Sequence, residues 1–189
     1  IMGLCVPDSG TITLLGTHMK RPADFVPVRS RIGLLFQDSD DQLFCPTVME
    51  DVAFGPLNLG LSREDAVHRA EQVLKQLGIP DLGERVTHRL SGGQKRLVAL
   101  AAVLAMQPQV LLLDEPTTGL DQRSQRTLVD LLTGLDMAVL VISHEFDFVK
   151  SVTDKIYSMD NGRILTDDDV HIHRHEHIHK HGKHPHSHH

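Results

Sequence analysis

The 189-residue sequence predicts an α/β fold built on parallel strands. Three observations predict it. Val110–Leu113 and Ala138–Ile142 are short, unbroken apolar runs, the pattern of strands covered on both faces. Gln125–Leu135 between them has helical spacing, so the unit reads strand, helix, strand, the crossover that a parallel pair requires. From Thr47 to Met106 the pattern is helical, and this stretch separates those strands from an earlier buried-strand candidate at Ile32–Phe36.

The first element is Thr11–Leu15, which alternates apolar and polar residues after the Pro7-Asp8-Ser9-Gly10 turn and reads as a half-exposed strand. Within the helical stretch, Ser62 is an N-cap with Asp65 three residues on. Ala66, Ala70, Val73, Leu74 and Leu77 then form one apolar face before Gly78 ends the helix. A second helix follows Ser91, its apolar side made by Leu97, Val98, Leu100, Ala101 and Leu104. Lys155–Met159 and Arg163–Leu165 flank Asp160-Asn161-Gly162, the composition of a hairpin turn. After Thr166 come Asp167, Asp168 and Asp169 and then a histidine-rich end, where no packed structure is expected. The organisation is one domain over 1–165, with a helical portion at about 47–106, and an acidic, then histidine-rich tail over 166–189.

With 40% hydrophobic residues the chain can bury one core, and its formal charge of −6 argues against a nucleic-acid partner. Cys5 and Cys45 form no CxxC pair, so neither a disulfide framework nor a zinc ribbon is indicated. No apolar run approaches the roughly 20 residues needed to cross a bilayer, and Ile1–Val6 is too short for the core of a signal peptide.

Chemistry concentrates in two segments. Leu90-Ser91-Gly92-Gly93-Gln94 opens a helix, where two glycines let the backbone approach a ligand and free N–H groups face it. A serine-capped glycine turn is the alternative for an isolated SGG. Further on, the Val110–Leu113 run leads into Asp114-Glu115-Pro116, placing two carboxylates at the C-terminal end of a buried strand. One can hold Mg²⁺ and the other can take a proton from water. Two solvated acids at a strand end are the alternative.

Together with three further segments, these residues resemble the nucleotide-binding subunit of ABC transporters. Phe36-Gln37 matches the Q-loop, Leu90–Gln94 the signature, Leu111–Glu115 the Walker B strand, Gly119-Leu120-Asp121 the D-loop and Ser143-His144 the H-switch, in the family's order. The resemblance covers Ile1 to about Leu165 and implies a P-loop NTPase fold with a RecA-like core and an inserted helical subdomain. It implies that Glu115 polarises the attacking water, that Asp114 holds Mg²⁺ through water, and that His144 contacts the γ-phosphate. Gln37 would sense metal and water, and Asp121 would belong to the nucleotide-binding set. Ser91, Gly92, Gly93 and Gln94 would serve an ATP held mainly by a second ATPase subunit, so hydrolysis would need a head-to-tail dimer, homomeric or heteromeric.

The phosphate-gripping GxxxxGK[ST] sequence does not occur. Gly55–Gly60 and Gly78–Gly83 have the glycine spacing but are followed by Leu61-Ser62 and Glu84-Arg85. In the family this loop and its strand precede the turn at Pro7–Gly10, so an incomplete N-terminal part is expected, and the 189-residue chain by itself is expected to bind little ATP.

The runs Phe36–Phe44, Pro46–Val48 and Glu50–Pro56 resemble the energy-coupling-factor branch of ABC importers, which takes up vitamins and transition metals. In that family this region meets the coupling helices of transmembrane partners, which implies a peripheral position at the cytoplasmic face of the membrane. Asp38, Asp40 and Asp41 also read simply as a solvated acidic loop. In the tail, His171, His173, His175, His177, His179 and His181 alternate with other residues, and His184, His186, His188 and His189 follow. Imidazoles on a flexible segment suit Ni²⁺ or Co²⁺. A purification tag is the alternative, although the interleaved Ile, Arg, Glu and Lys residues are unlike one. The expectation is therefore the ATPase of a nickel or cobalt importer. A vitamin importer, or a catalytically dead ABC-like module with a metal-buffering tail, are the competing readings.

Overall fold

The computed structural model describes residues 1–39 and 41–165. It divides into two units, Ile1–Asp154 and Lys155–His189. Asp40 and the tail histidines from His171 to His189 lie outside the described residues.

The first unit opens with an antiparallel pair, β1 (Ile12–Leu14) and β2 (Thr17–Met19), in which Thr13 faces His18. A 3-10 turn at Pro22–Phe25 and the short helix α1 (Val26–Arg29) lead into β3 (Ile32–Leu35). Three helices follow: α2 (Val48–Asn58), α3 (Arg63–Gln76) and α4 (Gly92–Ala105). The chain returns to the sheet through β4 (Val110–Asp114), crosses over by α5 (Gln122–Thr133) to β5 (Ala138–Ile142) and ends in α6 (Phe146–Val152). The three-stranded sheet has the order β3-β4-β5, all parallel, with Leu34 opposite Leu112 and Leu112 opposite Leu140.

The caps explain the helix starts. Ser62 accepts the Asp65 amide at the head of α3, as its sequence requires. Thr47 and Glu50 form a reciprocal capping box at α2, which the Thr-x-x-Glu spacing signals.

Period-two alternation sorts β4 between two apolar clusters. Leu111 and Leu113 join Leu35 in the larger cluster, with Val48, Val52, Leu74, Val98, Leu100, Leu128 and Phe148. Leu112 points the other way and packs with Ile32, Met19, Phe25 and Val28. The helix α4 presses hard on the sheet at Gly33, where an added Cβ would stand 2.4 Å from a Val103 methyl. Any larger residue there would push helix and strand apart.

The sequence predicts β5 to be covered on both faces, and the structure corrects this. Val139 and Val141 pack on the larger cluster, but Leu140 and Ile142 are 47% and 58% exposed. The layer formed by β2, the 3-10 turn and α1 covers Ile32 and Leu112, and among the described residues it does not extend over β5.

The second unit is described from Lys155 to Leu165. It contains the hairpin of β6 (Ser158–Asp160) and β7 (Arg163–Leu165), with Asp160 opposite Arg163. Asn161 and Gly162 both have positive φ, as a tight two-residue turn requires.

Candidate functional site

Ser91 caps α4, accepting the Gln94 amide on Oγ, while the Gln94 side-chain oxygen accepts the Ser91 amide at 3.0 Å. This box uses a lone pair of the hydroxyl and leaves its proton to donate. It also orients the first turn of a 14-residue helix, whose N–H groups at Gly92 and Gly93 begin the helix without intrahelical partners. Ser91, Gly92 and Gln94 are exposed. The two glycines differ. A Cβ at Gly92 would meet nothing within 4 Å, whereas one at Gly93 would stand 2.7 Å from the carbonyl oxygen of Gly119. Gly93→Ala is therefore expected to destabilise the protein by about 1–3 kcal/mol and Gly92→Ala by less than about 0.5 kcal/mol. Urea unfolding of both variants checks this, and equal midpoints would remove the special role of Gly93.

β4 delivers Asp114 and then Glu115, whose φ of 47° is in the left-handed region. A non-glycine residue there is strained. The Glu115 amide still extends the ladder to the Ile142 carbonyl at 2.8 Å. The turn brings its carboxylate back onto the residues after β5. Oε2 accepts the Ser143 hydroxyl at 3.2 Å; Oε1 accepts the His144 amide at 3.1 Å and lies 2.9 Å from His144 Nδ1. Burial alone would raise the Glu115 pKa, but the hydrogen bonds from His144 and Ser143 and the imidazolium charge outweigh it and hold the group below the usual carboxylate value. The hydrogen bond to Glu115, followed by the charges of Glu115 and Glu145, raises His144 above 6.5 against desolvation.

The pH window follows from these directions. His144's share of the pairing is present below its ordinary pKa and is lost as pH rises through the raised one. Glu115's share is present above its ordinary pKa and is lost as pH falls through the lowered one. The ring resonances of His144 are therefore expected to titrate with a midpoint above 6.5, moving back toward 6.5 in Glu115→Gln. An unshifted midpoint in the unsubstituted protein would rule out the contact in solution.

Gln37 is exposed just beyond β3, and Arg96 of α4 ties its backbone to the carboxylate end of β4. The guanidinium donates to the carbonyls of Phe36 at 2.8 Å, Gln37 at 2.5 Å and Asp114 at 3.5 Å, and the residue is 5% exposed. Gln42 adds a second brace, accepting the Phe36 amide and donating to the Leu34 carbonyl. Asp114 also lines a cavity of about 290 Å³ with Leu34, Leu112, Leu113, Leu140 and Ile142. Asp121 caps α5, its carboxylate accepting the Ser124 amide at 2.8 Å.

The structure thus brings Glu115, His144 and Ser143 into contact and links Gln37 to Asp114 through Arg96. Neither Arg96 nor Gln42 stands out in the sequence. A further contribution comes from Asp51, 4% exposed within α2, which accepts the amides of Phe44 and Cys45 and holds that segment beside the helices. Phe44 and Phe54 meet edge to face at 4.7 Å, and with Leu57 and Leu59 they remain substantially exposed. Among the described residues no group of three or more His, Cys, Asp or Glu side chains forms a metal cage, and no helix is long and apolar enough to cross a membrane.

A sequence profile of the ABC transporter family matches residues 1–118. A putative ABC transporter ATP-binding protein of Brucella suis biovar 1 is 50% identical over 87% of this chain and 69% of its own length. The cobalt import ATP-binding protein CbiO of Rhodobacter capsulatus is 47% identical over 87% of this chain and 60% of its own. Among solved structures, cbiO1 from Clostridium perfringens, part of the ABC transporter complex cbiONQ, aligns with a TM-score of 0.76 at 36% identity, covering 87% of this chain and 68% of that one. This chain belongs to the ABC transporter family, as an ATP-binding subunit with the ABC ATPase fold. It spans 69% and 60% of the lengths of the two curated relatives above.

Proposed function

We propose that this chain is the ATP-hydrolysing subunit of an energy-coupling-factor importer that takes up nickel or cobalt. The observation that carries the enzymatic part is the Glu115 carboxylate, turned back from the end of β4 onto Ser143 and His144. A carboxylate held ionised at that position can take a proton from water as it attacks the terminal phosphate. His144, exposed and held at Glu115 by its Nδ1, can move to the phosphate and donate a hydrogen bond to the charge that develops there. Bound Mg²⁺ would supply charge neutralisation on the phosphates. The Asp114 carboxylate at the end of β4, next to Glu115, would hold it through water.

Gln37, just past the end of the parallel strand β3 with its backbone carbonyl held by Arg96, would sense that chemistry. The first turn of α4, with Ser91, Gly92, Gly93 and Gln94, offers donors to a nucleotide on a second ATPase subunit; Asp121, as the cap of α5, supports the intervening turn. The exposed Phe44, Phe54, Leu57 and Leu59 suit docking to a transmembrane partner, which would place the subunit at the cytoplasmic face of the membrane.

The metal assignment is supported by the histidines from His171 to His189 and by the cobalt-import name of the Rhodobacter capsulatus relative. The same histidines also support a second reading, an ABC-like module whose useful chemistry is metal binding by that tail. Uptake by cells carrying the complete transporter separates the readings. Accumulation of labelled nickel or cobalt is expected to depend on this subunit and to stop in Glu115→Gln. Uptake of a vitamin instead would sink the metal assignment, and metal uptake indifferent to Glu115 would favour the binding module.

A further inference from the structure

We propose that Thr117 and Glu145 form a positioning pair that holds the 143–145 turn against the turn after β4, so that His144 can leave Glu115 without its loop drifting. The Thr117 side chain is 1% exposed, and its hydroxyl donates to Glu145 Oε1 at 2.7 Å, a short, charge-assisted contact. Thr117 is itself fixed, since its carbonyl accepts the Leu120 amide at 3.0 Å and the neighbouring Thr118 amide donates to the Glu115 carbonyl at 3.2 Å. On the other side, the Glu145 amide donates to Ser143 Oγ at 3.1 Å, and its carbonyl accepts the Val149 amide at 3.1 Å at the start of α6.

The turn bearing His144 therefore has two attachments, one on each side of that residue. Ser143 is tied to the Glu115 carboxylate, and Glu145 is tied to Thr117. The His144 side chain is 77% exposed and meets Glu115 at its Nδ1. When Glu115 turns to a water molecule, its bonds to Ser143, the His144 amide and the His144 ring all weaken together. The Thr117 bond does not involve Glu115 and survives, leaving His144 on a short tether near the place it must reach. A buried hydroxyl needs some acceptor to avoid a desolvation penalty. Here the acceptor is 28 residues away in sequence and next to the switch histidine, which is what a positioning role requires.

The role rests on the hydrolytic reading above, so the test has two arms. In the 189-residue chain, amide hydrogen exchange is measured at His144 and Glu145 and, as a control, at Val98–Leu104 in α4. Thr117→Val, which keeps the shape and deletes the donor, is expected to speed exchange at His144 and Glu145 by about tenfold with α4 unchanged, and Thr117→Ser to restore it. No change, or a uniform rise that includes α4, would overturn the pair. Glu145→Ala, made in a partly exposed side chain, serves if Thr117→Val does not fold, with the same outcomes. In the ATP-hydrolysing assembly, Thr117→Val is expected to lower kcat by about tenfold with KM for ATP unchanged. Unchanged kcat would overturn the positioning role, whereas intact hydrolysis in Glu115→Gln would overturn the hydrolytic reading instead.

Discussion

Glu115→Gln is expected to lower kcat for ATP hydrolysis by about 10²–10⁴-fold in the assembled protein, leaving KM nearly unchanged. The amide has the same shape; its one oxygen can still accept the His144 amide while its NH2 donates to Ser143 Oγ in place of the carboxylate oxygen that accepted from it, so the turn should keep its geometry. It cannot take a proton from water. The loss falls on the transition state alone, which is why kcat should move and binding should not. Phosphate release at saturating Mg-ATP measures it, and a loss smaller than about tenfold would move the general base elsewhere.

Arg96→Met is expected to be the most damaging substitution for the fold of the site, costing about 3 kcal/mol or more because several backbone carbonyls lose their donor in a buried setting. Burial pulls the guanidinium below its usual pKa, opposed by the charges of Asp38, Asp114 and Glu115, so the cation is balanced by its surroundings and is not idle. Its removal frees the Phe36-Gln37 segment from α4 and from the end of β4. Thermal unfolding should show a midpoint lower by roughly 6–12 °C. Arg96→Lys should recover only part of this, because a single ammonium cannot reproduce the planar fork. A midpoint within about 2 °C of the parent would mean that water replaces the guanidinium without penalty.

Much of the scaffold is legible in the sequence because its signals are local. The apolar run before Asp114 marks β4, and the caps at Ser62 and Ser91 mark the starts of α3 and α4. The Thr47-x-x-Glu50 box is equally local and just as readable. What is not readable depends on residues far apart in the chain. Arg96 sits beside Lys95 in what looks like a solvated charged turn, and its burial follows from carbonyls at 36, 37 and 114. The exposed face of β5 depends on how far the β2–α1 layer reaches, which an Ala-Val-Leu-Val-Ile run cannot report. For the site, the residue types at 114, 115 and 144 suggest the chemistry, but the contact of Glu115 with His144 across 29 positions comes from the fold.

The left-handed backbone of Glu115 sets stability against activity at a single position. Glycine would adopt that φ freely and relieve about 1 kcal/mol of strain, yet it would also delete the carboxylate on which the proposed hydrolysis depends. Proline at the next position restricts the alternatives further, since the helical region is disfavoured for the residue before it. Selection or engineering guided by stability alone would therefore tend to drift toward an inert protein at this residue, and any thermostable variant of this chain should be checked there first.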